Sequence, residues 1–130
     1  MLFLGLGTGL GSALVIDGIV QPLELAHLPY RRGCTFEQYV GAAALRQLGR
    51  RRWRRFVADV TARLVVAMQA DDVVLGGGNA KQLDTLPCGA RRGTNANAFT
   101  GGFRLWEAAH GMPGTPVPVT GSGDPAPDAR

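Results

Sequence analysis

Between two apolar segments lies Gly5-Leu6-Gly7-Thr8-Gly9-Leu10-Gly11-Ser12, with four glycines and two hydroxyls in eight residues. Such a segment turns tightly and lets backbone N–H groups approach a ligand, an anion above all. Leu2-Phe3-Leu4 before it and Ala13-Leu14-Val15-Ile16 after it both read as strand. Asp17-Gly18 is then a two-residue hairpin signal ahead of Ile19-Val20. A phosphate-binding P-loop or a dinucleotide fingerprint runs from its glycines into a helix, whereas this run passes into a strand. Its spacing is not Gly-x-Gly-x-x-Gly, and no Gly-Lys-Ser or Gly-Lys-Thr occurs. The glycines are therefore read as a loop between two strands that faces an anion. A glycine turn with no ligand is the plain alternative.

The chain then reads as alternating strand and helix. Residues 2–6 are a buried strand, and 12–16 with 19–21 form a hairpin that Pro22 ends. Residues 23–32 look irregular. Thr35 is a candidate N-cap for a helix over 36–48, with Phe36, Tyr39, Val40, Ala43, Ala44 and Leu48 inward and Gly49 as its stop. Trp53, Phe56, Val57, Val60, Leu64, Ala67 and Met68 keep helical spacing over 51–69. Val73-Val74-Leu75 is a short buried strand that runs into Gly76-Gly77-Gly78-Asn79. A second set of backbone amides is thereby offered to an anion before a helical turn at 80–83. Residues 87–93 read as loop, 95–99 as a helical turn and 103–110 as a terminal helix. From 111 onward Pro, Gly, Ser, Thr and Asp dominate without apolar period, so 111–130 is expected to be a disordered tail.

At 130 residues one domain is expected. The net charge is +4, and thirteen of the fourteen basic residues are Arg. Arg46, Arg50, Arg51, Arg52, Arg54 and Arg55 are crowded together. The favoured reading is a solvated basic face whose stems pack over Trp53, with polyphosphate as one candidate anion. No aromatic residues interleave as base-stacking platforms, so nucleic acid is not expected as a partner. Cys34 and Cys88 lie far apart, which indicates neither a disulfide framework nor a zinc site. No secretory leader or membrane-length apolar stretch is visible, so a soluble cytoplasmic protein without a membrane partner is expected.

Five segments together resemble the ROK sugar kinases, members of the actin-like ATPase superfamily. The Gly5–Ser12 run with Asp17-Gly18 resembles that family's second phosphate loop, and Glu24-Leu25-Ala26-His27 its Glu-x-Gly-His sugar motif. Phe36-Glu37-Gln38-Tyr39-Val40-Gly41 stands where the family has a further sugar-contacting Glu. Leu75-Gly76-Gly77-Gly78 resembles its adenosine-side glycine loop. Asn95-Ala96-Asn97-Ala98-Phe99-Thr100-Gly101-Gly102-Phe103-Arg104-Leu105-Trp106 looks like the carboxy-terminal end of polyphosphate-glucokinase-like members.

The resemblance implies an α/β, actin-like ATPase (ribonuclease-H-like) fold. Residues 1–110 would form the carboxy-terminal lobe of a two-lobed sugar kinase, followed by the 111–130 tail. It implies phosphoryl transfer from ATP or polyphosphate, with Mg2+, to the 6-hydroxyl of glucose or a similar hexose. Gly7, Thr8, Gly9, Gly76, Gly77 and Gly78 would hold the donor. Glu24, His27 and Glu37 would hold the sugar. The family's Asp-x-Gly-Gly-Thr loop and its catalytic Asp belong to the amino-terminal lobe and have no counterpart here. The chain is thus expected to be inactive alone, with that lobe on another chain or lost through a misplaced start. A face left open by the missing lobe favours self-association. Ala26 stands where the motif has Gly, which alters how His27 is presented. The family's zinc-binding cysteine cluster is absent, so no zinc is expected, in line with polyphosphate-glucokinase-like members. A non-catalytic sugar- or nucleotide-binding or regulatory module, or a gene remnant, are the alternatives.

Overall fold

The computed structural model describes residues 1–87 and 89–93. Cys88, the helical turn expected over 95–99, the terminal helix over 103–110 and the tail over 111–130 lie outside the described residues. In β1 (Leu2–Leu6) the period of two sends Leu2, Leu4 and Leu6 to one face, each no more than 2% exposed. The chain turns at Gly7, whose N–H donates to the Gly9 carbonyl, and returns antiparallel as β2 (Leu10–Ile16). Asp17 and Gly18 both take positive φ, 50° and 79°, as a tight hairpin turn requires, and lead into β3 (Ile19–Leu23).

Pro22 does not end this strand: it pairs with Ala13. β3 is an edge strand, where a residue without an N–H removes no ladder bond. The segment expected to be irregular holds a small hairpin, β4 (Pro29–Arg31) and β5 (Cys34–Thr35). Its turn uses Arg32 and Gly33 at φ 51° and 74°. An Arg at the first turn position carries no sequence signal for that geometry.

Helix α1 (Phe36–Val40) starts after Thr35, whose N–H donates to Gln38 Oε1 at 2.8 Å, one arm of a capping box. The expected helix over 36–48 breaks at Gly41. There the Thr8 carbonyl accepts the Ala42 N–H at 3.0 Å, and a Cβ on Gly41 would lie 2.8 Å from that oxygen. The break resets the helical phase, and Ala43 faces solvent instead of the core. Helix α2 (Ala42–Met68) contains a second break at Gly49 (φ 74°, ψ 158°), where the sequence places a stop. Its later half carries Trp53, Val57, Val60 and Leu64 onto Leu2, Leu4, Leu6 and Leu75 of the sheet. Ala67, expected inward, is exposed at the margin of that apolar stripe.

The chain re-enters the sheet as β6 (Val73–Gly76), buried throughout and parallel to β1. A 3-10 turn (Gly78–Gln82) follows. Then β7 (Ala90–Arg92), expected as loop, pairs parallel with β6. Its residues are mostly exposed and show no alternation, so only the neighbouring strand makes them a strand. The five-stranded sheet runs β3-β2-β1-β6-β7 and is mixed, as expected for the α/β class.

Candidate functional site

β1 and β6 are parallel neighbours with Gly5 opposite Gly76, so both glycine segments leave the sheet at the same, carboxyl-terminal end. Ligands in α/β sheets bind at that end. Gly77 holds φ 84° and ψ 163°, a conformation close to glycine-only. A Cβ there would stand 2.5 Å from the Leu6 carbonyl oxygen. The second glycine loop therefore lies directly on the backbone of β1. Asn79 Nδ2 donates to the Gly7 carbonyl at 3.0 Å and ties the two loops together. Gly76 is buried beneath the Phe3 ring, while Gly77 and Gly78 are exposed. Thr8 is exposed at the tip of the first loop, and its carbonyl is anchored on Ala42.

Glu37 lies on the same loop. Its Oε2 accepts the Leu10 N–H at 3.3 Å, and a Cβ on Gly9 would clash with that oxygen. A side chain at position 9 would displace the carboxylate from this place. Glu24 and His27 are exposed, 85% and 71% by side chain, with His27 Nε2 3.6 Å from Glu24 Oε2. Their backbone is fixed where their side chains are not. Ala26, 3% exposed, accepts the Glu37 N–H through its carbonyl at 3.1 Å. Ser12 Oγ donates to the Leu23 carbonyl at 2.8 Å and accepts the Leu25 N–H at 3.2 Å. The segment with Glu24 and His27 is thus strung between β2 and the start of α1, next to Glu37. The nine residues named from the sequence fall into two groups, the two glycine loops and the Glu24–His27 segment with Glu37, that meet where Glu37 covers Gly9.

Four supporting residues are not among the site residues named from the sequence. Asn79 bridges the loops, Ser12 fixes the segment with Glu24 and His27, and Gly41 admits the Thr8 carbonyl between α1 and α2. Arg54 read as part of a solvated basic face. In the structure its Nε donates to the Gln82 carbonyl at 2.7 Å and its Nη1 pairs with Asp84. It pins the end of the 3-10 turn to α2. Only the glycine triplet ahead of Asn79 offered a cue, because a short amide side chain after a glycine turn often bonds backbone.

A second polar cluster sits on the outer face of α2. The Tyr30 hydroxyl donates to Asp59 Oδ2, which also accepts from Arg63 Nε at 2.9 Å. Burial, then the hydrogen bond to Asp59 and its charge, push the Tyr30 phenol up to about 12. The Tyr30 hydrogen bond, opposed by burial and helped by Arg63, holds the Asp59 carboxyl below its usual range. A raised folded-state pKa stabilises fully below the unfolded value of 10.0, and that contribution is lost as pH rises to about 12. The urea midpoint is therefore expected to fall between about pH 10 and about pH 12. Tyr30→Phe should remove the part of that fall due to this group.

Among the described residues no three His, Cys, Asp or Glu side chains converge as a metal cage, and no helix is long and apolar enough to cross a membrane. The sequence matches no family model and no curated protein. Solved structures do match. The inorganic polyphosphate/ATP-glucomannokinase from Arthrobacter sp. strain KM superposes with a TM-score of 0.72 at 24% identity, over 84% of this chain and 47% of that one. The chain shares the fold of the part of that structure it covers. The ROK hexokinase from Thermus thermophilus superposes with a TM-score of 0.56 at 23% identity, over 85% of this chain and 58% of that one. The chain spans about half the length of each.

Proposed function

We propose that this chain is the donor- and sugar-binding part of a hexose kinase of the ROK type, in which phosphate passes from ATP or polyphosphate to the 6-hydroxyl of glucose or a similar hexose. One observation carries the reading: two glycine loops leave adjacent parallel strands, are tied together by Asn79, and meet Glu37 on Gly9. Phosphoryl transfer depends mostly on positioning and on neutralising charge. The first loop supplies backbone N–H groups and the exposed Thr8 hydroxyl to the donor phosphates. Gly77 and Gly78 supply a surface without side chains for the rest of the donor. Carboxylates suit sugar hydroxyls because each oxygen accepts a hydrogen bond, and an imidazole donates or accepts. Glu24, His27 and Glu37 fit that task. Glu37, resting on Gly9, would set the sugar against the transferring phosphoryl group.

Mg2+ would supply charge neutralisation on the donor oxygens. The described residues offer it no cage, which fits an ion that arrives held by phosphates and water. The base that takes the sugar hydroxyl proton is assigned to an amino-terminal lobe outside these 130 residues.

Calorimetry of the chain with glucose and with MgATP or polyphosphate, beside a coupled glucose-phosphorylation assay, tests this. The expected result is heat with sugar and with at least one donor, and no turnover. Heat with neither ligand class removes the reading. Turnover by the chain alone removes the assignment of the base to another lobe.

A further inference from the structure

The β4–β5 hairpin has only two registered pairs, Pro29 with Thr35 and Arg31 with Cys34, and a hairpin of that size is not stable by itself in water. Its turn also holds Arg32 at φ 51°, a left-handed conformation that residues with a Cβ seldom adopt. Its shape must therefore be imposed by what it packs on. On the basis of the kinase reading, we propose that Asp59 of α2 is a positioning residue for the hexose. Through the Tyr30 hydroxyl it fixes both the segment that carries Glu24 and His27 and the helix that carries Glu37.

Among the described residues, Asp59 is the one side chain of α2 that residues 24–35 reach by hydrogen bonds. The Tyr30 hydroxyl donates to its Oδ2, and Arg31 Nη2 approaches the same oxygen at 3.5 Å. Arg63 Nε, one helical turn further on, donates to that oxygen at 2.9 Å and orients the carboxylate. Tyr30 and Asp59 are half-buried, where a hydrogen bond to a charged group is stronger than in open water. The Tyr30 ring in turn lies against α1, 5.2 Å from Phe36 and 5.0 Å from Tyr39 between centroids. Those two residues bracket Glu37 in α1.

Two backbone carbonyls complete the connection. Leu28 accepts the Phe36 N–H and Ala26 accepts the Glu37 N–H, both at 3.1 Å. These are the first two N–H groups of α1, which no carbonyl within the helix can serve. His27 lies between the two accepting residues, so its backbone is fixed to the start of the helix that carries Glu37. Tyr30 follows Leu28 by two residues. The Glu24 and His27 side chains are exposed, so the placement of their backbone sets where they can meet a sugar. Hydrogen bonds to hydroxyls weaken steeply when that placement is off.

The test compares the chain with its Tyr30→Phe, Asp59→Ala and Asp59→Asn variants and the Tyr30→Phe/Asp59→Ala pair. Calorimetry measures binding of glucose, MgATP and polyphosphate, and NMR follows hydrogen exchange of single backbone amides. Tyr30→Phe keeps the ring and loses only the hydroxyl. It should weaken glucose binding by about fivefold to tenfold and leave donor binding unchanged. The Phe36 and Glu37 amides should exchange faster, while the Ala42 amide, held by the Thr8 carbonyl, should not. Asp59→Ala should weaken glucose binding at least as much, and adding Tyr30→Phe to it should cost nothing further. Asp59→Asn keeps an acceptor for Tyr30 and should recover part of the affinity. Circular dichroism checks folding, and Tyr30→Phe decides if Asp59→Ala does not fold. Unchanged amide exchange or unchanged glucose affinity in folded Tyr30→Phe overturns the proposal. So does an equal loss of glucose and donor binding, the mark of general loosening, and so do additive losses in the pair. No glucose binding by the unaltered chain removes the kinase reading itself, and the sugar role of Asp59 with it.

Discussion

Trp53→Ala is expected to lower stability by about 3–5 kcal/mol, against a total of roughly 5–15 kcal/mol for a domain of this size. Trp53 is fully buried at the centre of the cluster that joins α2 to the sheet. Its truncation leaves a large cavity under Leu2, Leu4 and Leu6. It also removes the donor to the Val40 carbonyl, at 2.8 Å the bond that holds α1 against α2. Urea unfolding followed by far-ultraviolet circular dichroism measures the loss. Trp53→Phe should refill part of the volume and still leave the Val40 carbonyl unpaired, so its cost should fall in between. A loss below about 1 kcal/mol for the Ala variant would mean that the site collapses around the cavity and that the packing described is not what holds α2 down.

Gly77→Ala is expected to cost about 2–5 kcal/mol, the sum of backbone strain and a steric clash. The strain arises because φ 84° with ψ 163° is nearly closed to residues with a Cβ. The clash arises because that Cβ would lie 2.5 Å from the Leu6 oxygen, and backbone does not swing aside. Gly49→Ala is the control. It has a similar conformation, φ 74° and ψ 158°, but nothing lies within 4 Å of its Cβ, so it should cost only the strain, about 1–3 kcal/mol. The two variants should also differ in function. Pushing Gly77 away from Leu6 draws Asn79 off the Gly7 carbonyl, and calorimetric donor binding should be lost even in buffer where the variant remains folded. Equal losses for both variants would show that the contact between the loops is unimportant.

The strands and the later half of α2 were legible because each carries a strong local period. Leu2, Leu4 and Leu6 alternate, and Trp53, Val57, Val60 and Leu64 recur at helical spacing. Gly49 and Asp17-Gly18 were legible because their backbone conformations demand those residue types. β7 and the β4–β5 hairpin were not. Ala90–Arg92 becomes a strand only by pairing with Val73–Leu75, and Arg32 occupies a turn position its type seldom takes. The break at Gly41 was hidden for the same kind of reason: the atom that imposes it, the Thr8 carbonyl, is distant in sequence. Of the site, the residue types and their order were readable. Which of them touch was not.

The sequence by itself determined that two glycine loops follow strands and that carboxylates and a histidine lie between them. These are local facts of backbone freedom and side-chain chemistry. Only the tertiary structure decided that β1 and β6 lie side by side and parallel, which brings the two loops to one end of the sheet. It alone set Glu37 on Gly9, joined Asn79 to Gly7 and pinned Arg54 on the Gln82 carbonyl. These are contacts between residues far apart in the chain. They are fixed by sheet pairing and core burial, which act over the whole molecule and leave no local period to read.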